Sequence, residues 1–134
     1  MSSTSILIVE DEAIVAADLQ SMLQYSGYTV AGSAATAERA VELARQHRPT
    51  LVLMDIRLAG PMDGITAAEA IRRELDLPVV FLTAHSGAAT LERAKAAEAF
   101  DYIVKPFEEQ ELRTTIEMAI QKHRAEQEAR RRRE

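Results

Sequence analysis

Five short apolar runs recur along this chain at nearly even spacing, and that recurrence limits its fold more than any other feature. Their centres, Leu7, Val30, Val52, Val80 and Ile103, lie 23, 22, 28 and 23 residues apart. Helical patterns fill the intervals. Val15, Leu19, Met22 and Leu23 paint one helix face before Gly27 ends that helix. Thr36 is placed to cap a second helix that buries Ala37, Ala40, Val41 and Ala44, and Pro49 closes it. A third helix carries Ile65, Ala68, Ile71 and Leu75 inward. The fourth, about 88–97, is alanine-rich with Leu91 as its one large anchor, and the last buries Leu112, Ile116, Ala119 and Ile120. Strands joined one by one through helices call for an α/β doubly wound, five-stranded parallel sheet with right-handed crossovers and helices on both faces.

The 134 residues fit one such domain, expected over 1–121, with a charged helical extension or linker at 122–134. Beyond Ile120 the apolar face stops while helical composition continues, so the last helix is expected to project past the domain, frayed or packed on another helix. Absence of cysteine rules out disulfides and thiolate metal sites. The run Ile6–Val9 is too short for a signal peptide or membrane span, so the expectation is a soluble, cytoplasmic protein without a membrane partner. The net charge of −5 is uneven. Residues 122–134 carry six basic and three acidic side chains, and residues 1–121 carry ten basic against eighteen acidic, a net of −8. An acidic body argues against a nucleic-acid face, and the run Arg130 to Arg133 is read as a solvated helix end.

In a doubly wound sheet the ligand crevice lies at the carboxyl ends of the strands. There the chain has Glu10 and Asp11 after the first run, Asp55 after the third, Thr83 after the fourth and Lys105 after the fifth. Converging carboxylates repel unless a cation relieves them. Lys105 supplies one positive charge, and a hard divalent ion such as Mg²⁺ suits the oxygen donors. A metal, a lysine and a hydroxyl around one carboxylate make a site for a phosphoryl group, with Asp55 placed to attack in line.

The motifs Ile8-Val9-Glu10-Asp11-Glu12, Leu53-Met54-Asp55, Met62-Asp63-Gly64, Phe81-Leu82-Thr83-Ala84 and Tyr102-Ile103-Val104-Lys105-Pro106-Phe107 occur in that order. In this the chain resembles the receiver domains of two-component response regulators, over about Ile6 to Ile120. The resemblance implies a flavodoxin-like sheet of order 2-1-3-4-5 and Asp55 as phosphoacceptor. It implies direct Mg²⁺ coordination by Asp11 and Asp55, help from Glu10 through water, and a further ligand in the Arg57 backbone carbonyl. It also implies Lys105 on the phosphoryl group, Thr83 as a switch with Tyr102 as its rotameric aromatic, and a cis Lys105-Pro106 bond. The implied partner is a sensor histidine kinase or phosphotransfer protein, with the downstream effector unknown. A homodimer through the last two helices is a further possibility that light scattering would test. The loop after Asp55 is one residue longer than in many members, with Ala59 where proline is common. Glu98-Ala99-Phe100 replaces a usual glycine-bearing stretch.

Other residues read more plainly. Glu12 favours the positive end of the first helix. His47 and His123 read as solvated, and His85 is either a surface histidine or a group facing the phosphoryl site. A nucleotide-binding domain fails because Glu10-Asp11-Glu12 is acidic where phosphate needs backbone N–H groups. An aspartyl phosphatase would want a carboxylate where Arg57 stands, so no turnover of an external substrate is expected. The alternatives retained are a pseudo-receiver, meaning a receiver-like interaction module, and the receiver part of a larger hybrid sensory protein.

Overall fold

The computed structural model describes residues 4–58, 60–83 and 101–133. The strands are β1 (Ser5–Val9), β2 (Thr29–Ala34), β3 (Leu51–Asp55), β4 (Val79–Thr83) and β5 (Asp101–Val104). They form one parallel sheet of order β2-β1-β3-β4-β5. The helices are α1 (Ala13–Tyr25), α2 (Ala37–His47), α3 (Gly64–Leu75) and α4 (Glu109–Arg133). The helix expected at 88–97, and with it His85, Phe100 and Ala59, lies outside the described residues.

Alternation along each strand divides the core in two. Leu7 and Val9, Val52 and Met54, and Val79 and Phe81 pack with Ala40, Val41, Ile65 and Ile71 of α2 and α3. Ile6 and Ile8, Leu51 and Leu53, and Val80 and Leu82 pack with Leu19, Leu23, Ile116 and Ile120 of α1 and α4. A strand buried on both faces needs apolar side chains at every position, which is why β1, β3 and β4 read as unbroken runs. Leu51, Val52, Leu53 and Met54 are fully buried, and truncating one of them to alanine costs about 2–5 kcal/mol.

Local signals set most boundaries as expected. The Thr36 hydroxyl accepts from Arg39 N–H at 3.2 Å and starts α2. Gly27 takes φ 94° after α1, a left-handed turn that glycine adopts without strain. β2 continues from the apolar run around Val30 through Gly32-Ser33-Ala34, because β1 pairs with it as far as Val9↔Ala34 after a register shift between Ile6 and Leu7. Its sequence alone is a poor strand former, and the neighbouring strand supplies the order.

One expectation is corrected. His123 is buried, not solvated, with Nε2 lying 3.3 Å from Asp76 Oδ1. The last helix keeps its helical form past Ile120, where the apolar stripe ends. It continues unbroken to Arg133, and its later turns pack on the α3–β4 turn of the same domain through His123, Gln127 and Arg130. The apolar stripe ends at Ile120 because polar residues continue the same helix face.

Candidate functional site

Parallel register brings the strand ends to one edge. Val9 pairs with Met54, Asp55 with Leu82, and Thr83 with Val104. Backbone bonds carry the ladder just past the strands. Lys105 N–H donates to Thr83 C=O at 2.8 Å, Ile56 N–H to Leu82 C=O at 3.2 Å, and Glu10 N–H to Ala34 C=O at 2.9 Å. Glu10, Asp55, Thr83 and Lys105 thus stand on rigid backbone, and the Lys105-Pro106 bond is cis.

Lys105 is the centre of the charge pattern. Its Nζ donates to Glu10 Oε1 at 2.8 Å and to Asp55 Oδ2 at 3.2 Å. The other Asp55 oxygen accepts from Arg57 N–H at 3.0 Å, and Glu10 Oε2 accepts from Glu12 N–H at 3.1 Å. Both buried carboxylates are therefore held at each oxygen, as buried charge requires. Burial pulls the Lys105 ammonium toward its neutral form, yet the hydrogen bond it donates to Glu10 and the charges of Asp55 and Glu10 outweigh it and raise its pKa.

Asp11 is exposed, and oxygens of Glu10, Asp11 and Asp55 all lie within 4.8 Å of one another. At that separation two carboxylates repel by about 3–4 kcal/mol at an effective dielectric constant near 20. Three negative charges against one lysine leave two uncompensated. Hard oxygen donors with that residual charge fit a divalent ion such as Mg²⁺. A cleft of about 350 Å³ opens on the side of Glu10 and Asp11, walled by Ala13, Ala16, Ala17 and Ala34 and reachable from solvent.

Thr83 is buried at the end of β4. Tyr102 is partly buried and packs on the α2–α3 side of the sheet. The structure adds two contacts that strand-end reasoning did not supply. Arg57 N–H holds Asp55, and Glu10 bonds Lys105 directly. Neither had a sequence signal, because one is a backbone group and the other spans 95 positions.

Residues 6–117 match the family described as the response regulator receiver domain. The chain belongs to that family. The receiver domain is 44% identical over 119 residues to the transcriptional regulatory protein PdtaR of Mycobacterium tuberculosis, covering 89% of this chain and 58% of that protein. It spans about half the length of the curated relatives it matches. Among solved structures, it superposes with a TM-score of 0.88 on the signal receiver domain of a modulated diguanylate cyclase from Desulfovibrio desulfuricans G20. That pair shares 38% identity, over 93% of this chain and 99% of the other. A second receiver match is the N-terminal domain of a response regulator/sensory box/GGDEF protein from Carboxydothermus hydrogenoformans. It is 43% identical with a TM-score of 0.82, covering 91% of this chain and 98% of that one. The fold and the two-component setting follow from this membership. No helix among the described residues is long and apolar enough to cross a membrane.

Proposed function

We propose that this receiver domain accepts a phosphoryl group on Asp55 from a phosphohistidine of a sensor kinase or phosphotransfer protein. The observation that carries the reading is Lys105, clamped between Glu10 and Asp55 at the strand-end edge beside buried Thr83. In the transfer the donor's P–N bond breaks with its electron pair left on the imidazole, which takes up a proton, as a P–O bond forms to the Asp55 carboxylate. Glu10, Asp11, Asp55 and the Arg57 carbonyl are the groups that would hold Mg²⁺. When bound, that ion would supply positive charge for the phosphoryl oxygens. Lys105 then moves from carboxylate to phosphoryl oxygen, the Thr83 hydroxyl bonds another, and Tyr102 follows Thr83 inward.

The readout is the mass of the intact protein after incubation with Mg²⁺ and acetyl phosphate. One added phosphoryl group on the parent, and none on Asp55→Asn, is the expected result. An equal adduct on the variant, or none on the parent, ends the proposal and favours a receiver-like interaction module.

A further inference from the structure

Asp76 follows α3 in a left-handed conformation, φ 54° and ψ 49°, and its N–H caps the helix by donating to Arg72 C=O. Glycine is the usual residue at such a position. Aspartate there faces backbone strain, and it puts a negative charge at the negative end of the α3 dipole. Within α3 the choice is unfavourable. Its partners lie elsewhere.

The Asp76 carboxylate gathers three side chains from the far end of α4. His123 Nε2 lies 3.3 Å from Oδ1, and Oδ2 accepts from Gln127 Nε2 at 3.2 Å and from Arg130 Nη2 at 2.8 Å. Positions 123, 127 and 130 share one helix face, which continues the stripe of Leu112, Ile116, Ala119 and Ile120. Arg72 and Glu126 form a second, longer ion pair beside it at 3.8 Å. Burial works against ionisation of Asp76, and the bonds from Gln127 and His123, with the charges of His123 and Arg130, overcome it and hold the carboxyl below its ordinary range.

The lengths say what these contacts do. A 25-residue helix is about 37 Å long, against about 17 Å for the five-residue strand β4 beside it. The last turns of α4 therefore extend beyond the sheet, where no apolar residue of that stripe anchors them. We propose that Asp76 is a latch that makes residues 121–133 part of the receiver's rigid body and fixes the direction in which α4 passes the sheet edge. The latch stands at the entry to β4, and Thr83 stands at the exit of the same buried strand.

Asp76→Gly separates this role from ordinary stabilisation. Glycine relieves the left-handed strain and the dipole clash while removing the latch. In the 134-residue chain, hydrogen exchange should quicken about tenfold for amides of 124–133 and stay unchanged for the core strands β1, β3 and β4. Arg130→Gln should reproduce part of the effect and add nothing to Asp76→Gly. Unchanged exchange in 124–133, equal loss of protection in sheet and helix end, or full additivity of the two variants overturns the proposal.

Discussion

At Gly64 an added Cβ would run into the carbonyl oxygen of Asp55, while Gly64 N–H bonds Ile56 C=O at 2.9 Å. The loop after β3 closes onto the strand it left, and the start of α3 is pressed against the backbone that carries Asp55. Neighbouring Asp63 caps α3 by accepting from Thr66 N–H at 2.9 Å. Gly64→Ala has backbone on the other side of the clash, so nothing flexible gives way. It should cost about 2–3 kcal/mol, read as a lower urea midpoint, and slow the proposed phosphorylation of Asp55 in the remaining folded protein. An unchanged midpoint would show that the loop shifts freely. The sequence supplied Met62-Asp63-Gly64 as a motif, whereas the reason for glycine needed the fold. Asp55, Thr83 and Lys105 were readable because each ends an apolar run. Asp76 was not, since an Asp before Leu77-Pro78 looks like any turn residue and its partners lie 47 to 54 positions away. The spacing 116, 120, 123, 127, 130 was the available signal, hidden by its change from apolar to polar.

Among the elements, α4 is tied to the body along its whole length. Near its start, Ser26 Oγ donates to Glu109 at 2.9 Å; midway, Tyr28 Oη donates to Glu117 at 2.6 Å; beyond them lies Asp76. Strand and helix order was readable from periodicity, because β3 and β4 are buried on both faces and each helix shows one apolar stripe. These polar ties were not, since no local pattern pairs residue 28 with residue 117. The Tyr28 phenol is pushed well above its ordinary value by burial first, then by the hydrogen bond and charge of Glu117, against the opposing charge of Arg113. A raised folded-state value means the folded chain keeps its proton after the unfolded chain has released it. Stability from this bond is therefore full below about pH 10 and falls as pH rises further. Tyr28→Phe should cost about 1 kcal/mol at neutral pH, because Glu117 then turns to solvent. Between neutral pH and about pH 11 the parent should lose more stability than the variant. Parallel pH curves for the two would refute the assignment.

At the scale of the molecule, a sheet buried on both faces carries three carboxylates and one lysine at one edge. Leu51 to Met54 hold Asp55 in place, and on the proposed reading the residual negative charge beside it is met by a divalent cation. A cation that binds only the folded state adds stability by mass action, about 2.7 kcal/mol at a hundred times its dissociation constant. Mg²⁺ should therefore raise the melting temperature of the parent relative to EDTA, and Asp55→Asn should respond less. Lys105→Met sharpens the test. Removing the ammonium leaves Glu10 and Asp55 buried without their cation, and Lys105 is partly exposed, so the loss in EDTA should be about 1–3 kcal/mol. Mg²⁺ should then restore more stability to this variant than to the parent, because metal and lysine neutralise the same two carboxylates. Equal melting temperatures for the parent in Mg²⁺ and in EDTA would show that Lys105 alone balances the cluster.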